Sequence, residues 1–421
     1  MFEQLESAAE EAPHAPAIIT HDSVVSYVEL LQRARRREAR TVFAAAPTLE
    51  TLEEIHAAIL HRQPIAPLHP LAPVSAHAAL ADRLVSIAIA PTTLAVLSTS
   101  GSTGVPKLVE LSAAAFLAHA TASNAHLELD VSDRWLLALP LAHTGGLSIV
   151  MRTLLARAAV VLAPLPPLGP RFATGVIETV CALGVTRLSL VPAQLQQLVE
   201  SDRPAPSALR SALIGGQAIP AKLATRALEL GWPIMSSYGL TETCGVCVAS
   251  RVGEVLPGAV GRALPGTRLR IEDGLLEISG PAVASRVWGN ASSITDDGWL
   301  RTADRATIEG GRVTILGRAD DVIISAGHKI DPLEIEAALL TLPMVRAAVV
   351  VGVVDEKFGS RIVALVNATA DLEADALEDL LPRYKQPREF HRVDSLPLLG
   401  SGKVDRLAAR RLAEAMRVRP R

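Results

Sequence analysis

The chain has 421 residues, 49% of them apolar and 20% charged, with a net charge of −3. That is enough apolar material for a large core in two or more domains, and the slight acidity excludes a nucleic-acid backbone as the main partner. Three cysteines exclude a disulfide framework and point to a reducing compartment.

The N-terminal stretch MFEQLESAAEEAPHAP is acidic and amphipathic and lacks the basic and apolar regions of a signal peptide. The expectation is a cytoplasmic protein. AIITHDSVV predicts a strand hairpin, and Ser26 with Glu29 forms a capping box that starts a helix running to Arg36. TLEEIHAAIL, AAAFLAHATASNAHL and GGLSIVMRTLLARA read as helices, alternating with short apolar strands such as TLAVLST, RWLLALP and AAVVLAP. VIETVCALG, VTRLSLVP, AQLQQLVES and SALIGG continue the pattern, which predicts α/β layers around mostly parallel sheet. The most apolar region, 135–165, is broken by His143, Arg152, Arg157, glycines and prolines, so it does not span a bilayer.

After about Leu256 the texture changes. TRLRIEDGLLEISG and RATIEGGRVTILG are short strands joined by Gly-containing turns, which predicts a small antiparallel, β-barrel-like region. A third texture begins near Gly317. DDVIIS reads as a strand, and Asp331, Pro332 and Glu334 supply the cap, first turn and third position of a helix. Two strand runs, 345–354 and 361–368, and further helices complete a small α+β unit. The boundaries expected are residues 1–317 and 318–421.

Five stretches carry chemistry. The first is LSTSGSTGVPKLVELS, residues 97–112, a Ser/Thr/Gly run leaving a strand, whose bare N–H groups and hydroxyls suit phosphoryl oxygens. Gly101, Gly104 and Lys107 lack the spacing of a Walker A loop. The second is Ser236-Ser237-Tyr238-Gly239-Leu240-Thr241-Glu242, placed just after a strand. The third is Thr302-Ala303-Asp304, the fourth GRADDVIISAGHKIDPLEIE (317–336), and the fifth LPLLGSGKVDR (396–406). Cys244 and Cys247 form a C-x-x-C with no second pair and no nearby histidine, and read as small residues in a packed loop.

In this order the five stretches resemble the acyl- and aryl-CoA synthetases, adenylation domains and luciferases, the adenylate-forming enzymes. The resemblance covers nearly the whole chain and is strongest from Leu97 to Arg406. It implies an α/β fold: a large N-terminal domain of two layered subdomains plus the barrel-like region, then a small mobile C-terminal domain. It also implies ATP, Mg²⁺ and coenzyme A. Thr99, Ser100, Gly101, Ser102, Thr103 and Gly104 would hold the β- and γ-phosphates, with Lys107 nearby. Tyr238 and Gly239 would face adenine, Thr241 the α-phosphate, and Glu242 the Mg²⁺. Gly215, Gly216 and Gln217 would line the adenine and acyl pocket. Asp304 and Arg318 would bind the ribose. Lys403 would neutralise charge at the α-phosphate. Asp320 matches the hinge position, and Gly327 would face the thiol tunnel after the C-terminal domain turns.

LPLAHTGGLSIVMRTLL (139–155) and RLSLVPAQLQQLV (187–199) are closest to the o-succinylbenzoate–CoA ligases of menaquinone biosynthesis, which places His143 beside the acid. Ala142 departs from that pattern, standing where relatives often carry a bulky aromatic. The expected partners are a carboxylic acid, ATP and CoA, with neither nucleic acid nor membrane, and with a homodimer as an allowed assembly. Three alternatives stay open at this point: another aryl or acyl acid, a carrier protein as acceptor, or a non-catalytic nucleotide-binding homologue.

Overall fold

A computed structural model describes residues 1–99, 107–256, 258–289, 293–373, 375–400 and 402–417. The fold opens with α1 (Gln4–Glu11), the antiparallel hairpin β1 (Pro16–Ile19) and β2 (Val24–Ser26), and α2 (Tyr27–Arg36). The capping box on α2 is present: Ser26 accepts from the Glu29 N–H, and the Glu29 carboxylate accepts from the Ser26 N–H. Next come β3 (Val42–Ala44), α3 (Leu49–Leu60), β4 (Ala66–Leu68), α4 (Val74–Val85), β5 (Thr93–Thr99) and β6 (Lys107–Ser112). Strands then alternate with helices: α5 (Ala113–Leu127), β7 (Arg134–Leu136), α6 (Thr144–Ala156), β8 (Ala159–Val161), α7 (Pro170–Leu183), β9 (Arg187–Leu190), α8 (Pro192–Glu200), β10 (Ser211–Ile214), α9 (Ala221–Glu229) and β11 (Ile234–Leu240).

A 3₁₀ turn, Thr241–Thr243, reverses the chain into β12 (Gly245–Ala249). It is followed by β13 (Ala259–Ala263), β14 (Arg268–Glu272), β15 (Leu275–Ser279), β16 (Arg286–Trp288), β17 (Leu300–Glu309) and β18 (Arg312–Arg318). The last stretch holds β19 (Ile323–Ser325), β20 (His328–Ile330), α10 (Pro332–Leu339), β21 (Val345–Asp355), β22 (Gly359–Ala368), β23 (Glu389–Arg392) and α11 (Arg406–Arg417).

The chain divides into two compact units. The first is Met1–Glu272, Leu276–Thr302 and Ile308–Thr314; the second is Asp273–Leu275, Ala303–Thr307 and Ile315–Arg421. In the first, the main sheet runs β13-β12-β11-β10-β9-β7-β8-β1-β2. Its middle strands are parallel, because each is joined to the next by a helix crossing a sheet face. One core gathers Ile18, Leu52, Phe116 and Trp135, and another gathers Leu136, Val176, Leu188, Ile214 and Trp232. A second layer pairs β16, β6 and β5, with β3 and β4 attached through the Ile65–Ala95 bridge. β13 pairs antiparallel with β12 and with β18, and β13 and β18 extend the main sheet edge to edge.

Two local readings change. The strand expected to stop before Ser236 continues to Leu240, because β12 folds back and pairs with it from Ser237 onward. In DDVIIS the two aspartates belong to a 3₁₀ turn, Ala319–Asp321, and only Ile323–Ser325 pairs as strand.

In the second unit β21 and β22 form a long antiparallel hairpin. Its residues alternate between two faces. Val350, Ile362 and Ala364 pack with Ile335 and Leu339 of α10, whereas Val349, Val351 and Leu365 pack with Ala409 and Ala413 of α11. Among the described residues no helix is long and apolar enough to cross a membrane.

Candidate active site

Four neighbouring parallel strands, β7, β9, β10 and β11, end along one edge of the main sheet. The loop after each carries a candidate stretch: 137–143 with His143, the turn at Val191–Pro192, Gly215-Gly216-Gln217, and Thr241-Glu242. Parallel α/β sheets form their ligand crevices outside such carboxyl ends. Residues far apart in sequence are thus side by side because their strands are.

Specific bonds join the loops. Gln194 donates from Nε2 to the Ala138 carbonyl at 3.0 Å and accepts the Val191 N–H at 3.0 Å, so it braces the loop leading to His143. His143 caps α6 with its backbone carbonyl, which accepts from Leu147 N–H at 2.9 Å, and its half-buried side chain leaves at the loop end. Ala142 beside it is buried. The Ser237 hydroxyl donates to the Ile214 carbonyl at 2.9 Å, and a Cβ on Gly215 would lie 2.6 Å from that oxygen.

Tyr238 and Gly239 lie in β11, paired with Val248 and Val246 of β12 across a bulge. A Cβ on Gly239 would sit 2.0 Å from the Gly245 carbonyl oxygen, so only glycine fits. The reversal is held by Thr243, whose hydroxyl accepts from Leu240 N–H at 3.0 Å and donates to the Gly245 carbonyl at 2.7 Å. Cys244 takes a positive φ of 55° there, a strained conformation for a non-glycine residue. The outcome is a rigid turn presenting Thr241 and Glu242, both half-buried. Cys244 and Cys247 are buried and form no disulfide; Cys247 lies within β12 rather than in a loop, because that segment pairs with β11, and burial pushes the Cys244 thiol pKa up.

The Glu242 turn is tied to the second layer. Its carbonyl accepts from Ala284 N–H at 2.7 Å, and the chain then pairs with β6 through Trp288–Leu108. Lys107 opens β6 opposite Thr99, the last rung of β5. Ser100, Gly101, Ser102, Thr103 and Gly104, expected between them, lie outside the described residues.

Behind this turn, His119, Trp135 and Arg152 form a buried cluster, with Arg152 Nη2 3.4 Å from His119 Nε2 and its guanidinium over the Trp135 ring. Burial holds His119 far below its ordinary pKa and lowers Arg152 to about 9.

In the second unit the expected ribose pair is brought together. Asp304, buried within β17, lies 3.4 Å from Arg318 Nη1 at the end of β18. Arg318 also binds Asp320 through Nε and Nη2, each at 2.8 Å. Those bonds, chiefly to Asp320 and next to Asp304, raise the Arg318 pKa. Gly327 stands at the exposed tip between β19 and β20 with φ of 81°. Lys403 lies in a small closed loop, where Leu399 N–H donates to the Lys403 carbonyl at 2.7 Å and Leu398 bridges Val404.

Three kinds of residue escaped the sequence reading: Gln194 as a brace, Ser237 against Gly215, and Glu336 with Arg406 around the Lys403 loop. Each stands inside or at the end of a quoted stretch. Its partner is distant in sequence, and no spacing rule reaches that far.

Comparison with known proteins identifies the family. Residues 36–288 match the AMP-binding enzyme family, and 334–403 match the AMP-binding enzyme C-terminal domain. A 2-succinylbenzoate–CoA ligase of Bacillus pumilus is 34% identical over 335 residues, 75% of this chain and 68% of that one. The o-succinylbenzoate CoA synthetase of Bacillus subtilis, solved with its acyl-adenylate intermediate, superposes with a TM-score of 0.83 at 26% identity over 97% of both chains. The same synthetase with ATP and a magnesium ion gives 0.83 at 26%, over 96% of this chain and 98% of that one.

Proposed function

The chain belongs to the AMP-binding enzyme family, and from that premise we propose that it is an ATP-dependent acid–CoA ligase acting on o-succinylbenzoate or a related aromatic acid. The observation that carries this reading is the convergence of the His143, Pro192, Gly215 and Thr241-Glu242 loops at the carboxyl ends of four adjacent strands.

A substrate carboxylate oxygen attacks the α-phosphorus of ATP and pyrophosphate leaves. The crevice edge formed by Gly215–Gln217 and Tyr238-Gly239 receives adenine and the acyl group, Asp304 and Arg318 take the ribose hydroxyls, and Thr241 meets the α-phosphate. Thr99 and Lys107, with the loop between them, take the pyrophosphate end. Lys403 supplies positive charge as the α-phosphate becomes more crowded with charge. Glu242, a half-buried carboxylate on a rigid turn, suits Mg²⁺, which keeps waters and phosphate oxygens beside one or two carboxylates and neutralises phosphate charge when bound. In the second step the thiol sulfur of CoA attacks the acyl carbonyl and AMP leaves. The C-terminal domain turns about Asp320, withdrawing Lys403 and bringing Gly327 toward the thiol path. His143 faces the acid, and the small Ala142 beside it, where relatives often carry a bulky aromatic, widens the pocket and alters which acid is accepted. The buried thiols Cys244 and Cys247 suit a reducing compartment, the cytoplasm.

The test is pyrophosphate release over a panel of acids, with and without CoA. An o-succinylbenzoate-type acid should lead the panel, and thioester should require CoA. Preference for medium-chain fatty acids over every aromatic acid overturns the substrate; product appearing only with a carrier protein overturns the acceptor.

A further inference from the structure

The Lys403 loop closes on itself through backbone bonds. Besides its own backbone bonds, including Asp405 N–H to the Pro397 carbonyl at 2.9 Å, its apolar anchors Leu396 and Val404 are only partly buried. A charge that must meet a developing phosphate charge has to be held tightly, since about 1 Å of misplacement can cost a hundredfold in rate.

A specific constraint lies three residues on, at the start of α11. Arg406 uses every side of its guanidinium. Nη2 contacts Glu336 of α10 at 2.8 Å, Nη1 donates to the Val350 carbonyl of β21 at 3.0 Å, and Nε lies 3.3 Å from Asp321. Glu336 is 9% exposed and also accepts the Val350 N–H at 2.8 Å, so the network is closed on itself. Asp321 follows the proposed hinge residue Asp320 directly. A partly buried, several-armed guanidinium network of this kind fixes geometry in a way that an isolated surface pair does not.

We propose that Arg406 is the positioning residue for Lys403, and that the Glu336–Arg406–Asp321 network makes the Lys403 loop turn as one body with the segment after Asp320. The structural logic is economical. A hinge that rotates a loosely tethered loop delivers the lysine to a range of places. A hinge whose next residue is bonded to the base of that loop delivers it to one place. The network carries two carboxylates against one guanidinium, and burial of Glu336 raises its pKa to about 7, with Arg406 and the Val350 N–H opposing the rise and Asp321 adding to it. Arg406 is the cation that contacts both acids, and Arg318 also acts on Asp321.

This inference rests on Lys403 acting in the adenylation step. The test measures the two half-reactions separately in Lys403→Ala, Arg406→Gln, Glu336→Gln and the double variant Lys403→Ala/Arg406→Gln. Adenylation is followed by ATP–pyrophosphate exchange at saturating ATP and acid, and thioester formation from supplied acyl-adenylate and CoA. Arg406→Gln should lower the adenylation kcat about tenfold to a hundredfold, with KM values nearly unchanged, and Arg406→Lys should recover part of the loss. Glu336→Gln, which keeps a hydrogen-bond acceptor and the side-chain shape, should fall in between and serves if Arg406→Gln does not fold. The double variant should be no slower than Lys403→Ala alone, because a positioning residue has nothing left to position. A purely structural role would instead add its full loss in both backgrounds and overturn the proposal, as would wild-type adenylation kcat in Arg406→Gln and Glu336→Gln. Unchanged adenylation in Lys403→Ala would overturn the underlying reading of the lysine itself, an outcome distinct from failure of the clamp alone.

Discussion

Arg318 grips Asp320 through two parallel bonds, Nε to Oδ1 and Nη2 to Oδ2, each 2.8 Å long. This fork ties the end of β18 to the turn about which the C-terminal domain is proposed to rotate. A backbone that rotates there must change its dihedrals, and proline fixes φ near −65°. Asp320→Pro is therefore expected to slow thioester formation from supplied acyl-adenylate by at least about tenfold while sparing adenylation. Asp320→Asn, which weakens the fork but leaves φ free, should keep the second step near normal. Equal losses in both half-reactions for the proline variant would remove the hinge from Asp320.

Glu242 stands on a turn whose backbone is fixed by Thr243 and by the Ala284 N–H. Glu242→Gln keeps the shape and loses the charge. The Mg²⁺ concentration giving half-maximal pyrophosphate exchange should rise about tenfold or more, as expected when a hard cation loses a carboxylate. A Mg²⁺ titration identical to that of the parent protein would rule out this role.

Gly215 and Gly239 separate two kinds of close approach. At Gly215 an added Cβ meets the Ser237 hydroxyl at 2.6 Å, a group that can be removed; at Gly239 it meets the Gly245 backbone oxygen at 2.0 Å, which cannot. Overpacking of this sort costs on the order of 1–3 kcal/mol. Gly215→Ala should lose stability and acid affinity, and Ser237→Gly in the same chain should restore most of both. Gly239→Ala should not be restored by any single neighbouring side-chain change. Thermal melting with acid KM values checks the pair; failure of Ser237→Gly to help Gly215→Ala would refute the account.

His56, buried in α3, donates from Nδ1 to the Leu52 carbonyl at 2.6 Å, and burial lowers its pKa to about 4. An unfolded histidine titrates near 6.5. Between those values the unfolded chain binds the extra proton, so stability is full above about pH 6.5 and is lost as the pH falls toward 4. At pH 5 the loss from His56 is about 2 kcal/mol. Buried His119 acts in the same direction. The drop in melting temperature between pH 7.5 and pH 5 should be smaller in His56→Gln, whose amide can still donate to Leu52. An unchanged drop would mean that His56 stays neutral in neither state.

Local sequence was sufficient wherever the determining interaction is local. Ser26 with Glu29, and Asp331 with Pro332, fix helix starts because a cap bonds within three residues. The helix–strand alternation gave the parallel sheet for the same reason, since crossover helices leave their period in the chain. The five motif stretches likewise named Tyr238, Glu242, Asp304, Arg318 and Lys403 as residue types able to act, and the structure sets Asp304 beside Arg318. The strand boundary at Leu240 was not legible, because it depends on a partner strand that pairs only after the turn has formed.

Other features are set by the order of strands in space. His143, Gln194, Gly215 and Tyr238 become neighbours because β7, β9, β10 and β11 are adjacent in the sheet, an order no periodicity encodes. Arg406 meets Glu336 across 70 residues because α10 and α11 pack on opposite faces of one hairpin and their ends converge near Val350. Side-chain chemistry and short-range backbone preference are written residue by residue, so the sequence alone determined which groups could act. Distances between those groups depend on how whole elements bury their apolar faces together, and that was decided only by the tertiary structure.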